Sequence, residues 1–224
     1  MSCHSHCSHE HHDSPPVPTN ASQTLIGYID VAKVRGLNVA NPPEDVVKLF
    51  TKDRTTIGPI VRSDCDSQII IHIPFINSSV KLYLILLRTS QDILHCPKTI
   101  KLYKNDTEID FDNVDHKKPT HILDHPLIGL DFDMVSDDTV EDEDDGVVEH
   151  YLPRQKFTGL TSLTIFIADN WAEDDDEEVE LSRIELRGSA TELRKEAVVA
   201  LYELAANPAD HNIEFLKETG TQGL

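Results

Sequence analysis

The stretch Ser63–Leu87, SDCDSQIIIHIPFINSSVKLYLILL, constrains the fold more than any other part of the chain. It carries two β-branched and apolar runs, Gln68–Phe75 and Val80–Arg88, joined by a short polar connection at Ile76–Ser79. The residue types favour strands, and the short connection predicts adjacent strands of a hairpin. Neither run alternates strictly. Near-continuous hydrophobicity predicts a second layer over one face and partial cover on the other. A hairpin is not stable alone in water, so the rest of the chain must supply further strands.

It does so at intervals. Lys98–Lys104 places Ile100 and Leu102 on one side, and Ser162–Ala168 (SLTIFIA) reads as a well-covered strand. Leu181–Arg187 alternates Ile184 and Leu186 against Arg183, Glu185 and Arg187, the pattern of a half-solvated strand. Val147–Leu152 leads into this second half, whereas Pro119–Pro126 looks irregular. Glu44–Phe50 reads as a short helix with Pro43 near its start. After Gly188 the period changes, and Glu192–Ala206 is rich in helix formers, ending before Asn207–Pro208. Many strands with frequent turns and one terminal helix predict an all-β sandwich. The expected organisation is a disordered Cys/His-rich tail over 1–24, a sandwich over 25–190, a helical extension over 191–218 and a frayed end over 219–224.

With 224 residues, 39% of them hydrophobic, the chain can bury one substantial core. Its formal charge of −20 is concentrated in two runs. One comprises Asp137, Asp138, Glu141, Asp142, Glu143, Asp144 and Asp145; the other is Glu173, Asp174, Asp175, Asp176, Glu177 and Glu178. Such a balance argues against a nucleic-acid footprint, which needs a basic patch. It also argues against an anionic membrane surface. Both runs, with the single Trp171 at the lip of the second, are candidates for docking a Lys/Arg-rich protein partner, and solvated loops are the plainer reading. The first residues, MSCHSHCSHEHHDSPP, lack the apolar core of a signal peptide, and no run reaches transmembrane length. With no dense disulfide framework, a cytoplasmic and nuclear home is expected.

Catalytic signatures are missing: no phosphate loop, dinucleotide fingerprint, HExxH, GxSxG or CxxC occurs. No cofactor is expected. The weak metal candidates are Cys3, His4, His6, Cys7, His9, His11 and His12, whose spacing is not that of a closed zinc site. Asp64, Asp66 and Gln68 are too few oxygen ligands for calcium, so the two carboxylates are expected to brace a turn. His72, inside a strand pattern, is read as structural. A lectin-like small-ligand module and a metal-handling protein remain as alternatives to a protein-interaction module, with a hydrolase more remote.

SDCDSQIIIHIPF, then VKLYLILL, CPKTIKLYKN, FTGLTSLTIFIADN and LSRIELRG, in that order, resemble the PITH domain, the C-terminal module of proteasome-interacting thioredoxin. The resemblance runs from about Leu25 to Gly188. With a His-rich start, no CxxC and too little chain before Leu25 for a thioredoxin domain, the chain is expected to resemble the stand-alone members. The resemblance implies a jelly-roll β-sandwich of galactose-binding-like architecture, no catalytic machinery, and association with the 26S proteasome through its regulatory particle. Asp64, Cys65 and Asp66 match a family signature to which the resemblance attaches no chemistry.

Overall fold

The computed structural model describes residues 19–50, 58–76, 78–127, 146–174 and 176–192. The metal candidates Cys3–His12, the first acidic run, Asp175 and the expected helix beyond Glu192 lie outside them; Thr191 and Glu192, expected to open that helical extension, instead pair as the end of the last strand. Nine strands run through the described residues: β1 (Arg35–Leu37), β2 (Val61–Arg62), β3 (Ile69–Pro74), β4 (Ser78–Thr89), β5 (Thr99–Lys104), β6 (His121–Asp124), β7 (Val147–Tyr151), β8 (Ser162–Ile167) and β9 (Glu180–Glu192). They form two antiparallel sheets, β1-β3-β8-β5-β6 and β2-β9-β4-β7. From β3 onward the chain passes repeatedly between the sheets, giving the expected jelly-roll β-sandwich. One short helix, α1 (Pro43–Lys48), has Pro43 at its first turn and Glu44 and Asp45 beside its positive end, as the sequence pattern predicts.

The main core lies between the sheets. Ile69, Ile71 and Ile73 of β3, with Leu163, Ile165 and Ile167 of β8, face Val80, Leu82, Ile85 and Leu87 of β4 and Ile184 and Leu186 of β9. A second apolar cluster covers the other side of the five-stranded sheet, where Ile70, Tyr103 and Phe166 pack with Ile109 and Val114 from the segment after β5. Burial on both faces accounts for the continuous hydrophobicity of β3. His72 belongs to that outer face; it is buried, its ring nitrogen Nδ1 lies 2.9 Å from Thr164 Oγ1, and burial lowers its pKa to about 4.

Three expectations are corrected. β3 and β4 are not a hairpin, because each belongs to a different sheet. β3 finds its partners in β1 and β8, while β4 pairs with β9 from Ser78 to Thr89 and with β7. The short connection is therefore an arch across the core. Long ladders with distant strands outweigh the local pairing, and Ile76 N–H donates to Tyr28 O instead of to β4. The stretch 119–126, read as irregular, contains β6, an edge strand paired only with β5. Finally, β9 is not half-solvated: Arg183, Glu185 and Arg187 are all buried. Arg187 Nε donates to Glu185 Oε1 at 2.7 Å, and Arg183 Nη2 lies 3.3 Å from Glu185 Oε2. Alternation identified the shared face correctly, but Glu185 lies between the two guanidinium groups and Glu149 stands 4.0 Å from Arg187, so paired opposite charges withstand burial.

Part of the expected tail also enters the fold. Asn20 caps a 3-10 turn over Ala21–Gln23, Thr24 bridges to Arg187, and Leu25 N–H donates to Leu186 O. Opposite this crossing, β4 and β9 approach so closely that a Cβ at Gly188 would stand 2.0 Å from Lys81 O.

Candidate functional site

Loops distant in sequence meet at one end of the sandwich. Ser63 N–H donates to Val179 O and its hydroxyl accepts from Val179 N–H, joining the signature loop to the 169–179 loop. His95, in the turn after β4, places Nδ1 2.7 Å from Glu178 O. Since a carbonyl only accepts, that nitrogen is the donor. Trp171 N–H donates to Cys96 O, and Lys98 N–H donates to Asp169 O.

Within the signature, Asn38 is the organising residue. It holds a left-handed backbone, φ 58°, which asparagine tolerates better than most residues. Its amide nitrogen donates to Asp66 Oδ1 and to Gln68 O, both at 2.7 Å, and its Oδ1 accepts from Cys65 N–H at 3.2 Å. Asp66 also accepts from Gln68 N–H at 2.9 Å. Asp66 thus braces the turn as the residue type predicts, its Oδ1 accepting from both amide donors. Cys65 is exposed; its thiol lies 3.5 Å from an Asp64 carboxylate oxygen, whose hydrogen bond and charge push the thiol pKa up. A raised pKa disfavours the nucleophilic thiolate. Among the described residues no group of three or more His, Cys, Asp or Glu is placed to hold a metal ion.

Of the second acidic run, Glu173, Asp174 and Asp176 are exposed and Glu177 and Glu178 half-buried. Asn170, fully buried, shapes this loop: its amide donates to Asp174 O at 2.8 Å, and its Oδ1 accepts from Asp174 N–H. Glu173 takes a left-handed backbone and pairs with Lys98. That pairing pulls the Glu173 carboxyl below its ordinary pKa and raises the lysine. Trp171 is half-buried, not presented as a platform. Its indole N–H donates to His125 O at 2.8 Å, and Lys98 Nζ stands 5.4 Å from the ring centroid. A lectin-like reading therefore loses the one aromatic group that the sequence offered it.

A buried polar cluster beneath this end escaped sequence reasoning. His125, just after β6, and His150, in β7, are both buried, with Nδ1 of the former 2.9 Å from Nε2 of the latter. His125 Nε2 is 3.0 Å from Thr89 Oγ1. Desolvation lowers the pKa of His125 to about 3, helped by the neighbouring imidazole, and that of His150 to about 4. Both rings are therefore neutral at pH 7, in complementary tautomers, one donating and the other accepting. The detectable signal was parity: His150 shares its strand face with Val148 and Leu152.

The family model described as the PITH domain matches residues 15–206. The chain belongs to the PITH domain family. Curated PITH relatives include the human PITH domain-containing protein 1, 30% identical over 204 residues, covering 90% of this chain and 86% of the relative. The Caenorhabditis elegans PITH domain-containing protein ZK353.9 is 29% identical over 215 residues, covering 94% and 93%. As a PITH domain this chain is a non-enzymatic protein-interaction module. Among solved structures it is similar to the CBM32-1 and CBM32-2 domains of Clostridium perfringens ZmpB, with TM-score 0.48, 11% identity, and 73% and 35% of the two chains covered. It is also similar to a fucolectin from striped bass serum, with TM-score 0.44, 10% identity, and 72% and 49% covered. The sandwich assignment rests on this chain's own strand topology. No helix among the described residues is long and apolar enough to cross a membrane.

Proposed function

We propose that this chain docks on the 26S proteasome through the regulatory particle, in the cytoplasm and nucleus, using the acidic end of its sandwich. The convergence of separate loops carries this reading. The signature turn, the turn after β4 and the 169–179 loop are hydrogen-bonded into one surface on which Asp64, Asp92, Glu173, Asp174 and Asp176 are exposed. Such a surface favours a Lys/Arg-rich partner face and speeds the encounter. The resemblance of the sequence motifs to the proteasome-interacting module supplies the partner. The two acidic runs, Asp137–Asp145 and Glu173–Glu178, are the segments whose charge would steer it.

The test is native affinity purification of the full chain at two salt concentrations, read by quantitative mass spectrometry. Exposed charges are screened over about 10 Å at 0.1 M salt. Regulatory-particle subunits are expected at low salt, less of them at high salt, and fewer again when either run is converted to Asn and Gln. Recovery that ignores both salt and neutralisation would reject charge-led docking. A folded, abundant bait that recovers no proteasome subunit would reject the partner.

A further inference from the structure

The turn between β4 and β5 exposes two adjacent large aliphatic side chains, Ile93 at 46% and Leu94 at 38%. Its backbone is fixed from within. Asp92 N–H donates to Ser90 Oγ at 3.2 Å, Leu94 N–H to Asp92 Oδ1 at 3.1 Å, and Asp92 O accepts from both His95 N–H and Cys96 N–H. It is also fixed from outside, through His95 to Glu178 O, through Glu180 N–H to His95 O and through Trp171 N–H to Cys96 O. These bonds make the aliphatic turn and the second acidic loop one rigid shelf.

The other end of the turn reaches Gly146, the residue that follows the first acidic run. A Cβ built there would stand 3.3 Å from Gln91 Nε2. The turn that carries Ile93 and Leu94 therefore meets Gly146 through Gln91 at one end and the second acidic loop through His95 at the other. Two cations beside this shelf are already paired: Lys98 is held by Glu173 and against Trp171, and Arg62 by Glu180. Charge alone gives no reason to present two adjacent aliphatic side chains to water on a fixed backbone. Protein interfaces draw affinity from a desolvated apolar centre, whereas rim charges act mainly on encounter and salt dependence.

We infer that Ile93 and Leu94 form the apolar anchor point of the docking face, and that its occupant is a partner-protein segment presenting an aliphatic side chain flanked by lysine or arginine. This rests on the acidic-end docking proposed above and specifies the chemistry of the partner. The apolar group covers Ile93 and Leu94, while the flanking cations meet Asp92, Glu173, Asp174 and Asp176.

Two synthetic twelve-residue peptides test it: one lysine-rich with a central Leu-Leu, the other identical except for Ser-Ser. Both are titrated against the full chain by fluorescence anisotropy at low salt. Burying a leucine-sized group favours the Leu-Leu peptide by at least about tenfold. Ile93→Ser with Leu94→Ser should abolish that preference, leaving the weaker salt-sensitive binding of both peptides intact and the melting temperature unchanged, as befits exposed positions. Neutralising Glu173, Asp174 and Asp176 should weaken both peptides together. Equal binding of the two peptides to the unaltered chain, or a preference that survives the double substitution, overturns the anchor and leaves charge-led docking standing. Failure of both peptides to bind at low salt overturns the anchor and the charge reading together.

Discussion

Replacing His150 by glutamine should flatten the dependence of stability on pH. Folding holds both His125 and His150 in the neutral state, with pKa values of about 3 and about 4 against 6.5 in the unfolded chain. For a base whose pKa is depressed, the stabilisation is complete above the unfolded value. It is lost as the pH falls from 6.5 toward the folded value, because the unfolded chain takes up protons that the folded one refuses. At pH 5 the deficit is roughly 1.5 pH units, or about 2 kcal/mol for each ring and about 4 kcal/mol for the pair. That is a large share of the ~5–15 kcal/mol available to a typical domain. Glutamine places an amide near the position of Nε2, so His150→Gln keeps a partner for His125 Nδ1 while removing one titration. Urea unfolding at pH 7.5 and pH 5 would measure the difference. The unaltered chain should lose about 2 kcal/mol more than the variant across that interval, whatever the acidic residues contribute to both. Identical losses would refute the reasoning, as would an NMR titration in which the folded His150 changes charge near pH 6.5.

Two further substitutions probe the frame around the site. Gly188→Ala places a Cβ 2.0 Å from the Lys81 carbonyl oxygen, a backbone atom that cannot turn aside; we expect a loss of roughly 2–4 kcal/mol by urea unfolding, in the range of severe overpacking, and wild-type stability would show that β4 and β9 separate more easily than their register suggests. Asn38→Ala removes the donors to Asp66 and Gln68 O and the acceptor for Cys65 N–H, and strains a left-handed backbone; a loss of about 1–3 kcal/mol is expected, with faster amide exchange confined to residues 63–68, and unchanged exchange there would show that the turn is held by other contacts.

Much of this architecture is legible in the residues themselves. β5 and β8 fall where the alternating and continuous patterns place them, and α1 starts at its proline. The double-sided burial of β3 also follows from its unbroken isoleucines. What failed was partner choice. Periodicity reports the faces a strand covers but says nothing about its neighbour, so nearness in sequence suggests pairing β3 with β4 although they lie in different sheets. Edge strand β6 shows little apolar signal because its side chains alternate between half-exposed or exposed and buried over only four residues. Charged positions on β9 and the two histidines misled for a related reason: polarity predicts exposure only when no complementary group awaits inside. Asp66 was legible as a brace, whereas Asn38 was not, since its role depends on a loop nearly thirty residues away.

The imidazole pair has a consequence for sequence change. β6 and β7 close the same open side of the sandwich, one in each sheet, and His125 and His150 fasten them just inside the roots of the intervening acidic segment. Chain between two clamped roots can lengthen or shorten cheaply, since each doubling of a loop costs only about 0.6 kcal/mol in closure entropy. Insertions and deletions between the clamps should therefore be tolerated by the core, letting the amount of negative charge change while the platform that carries it stays the same.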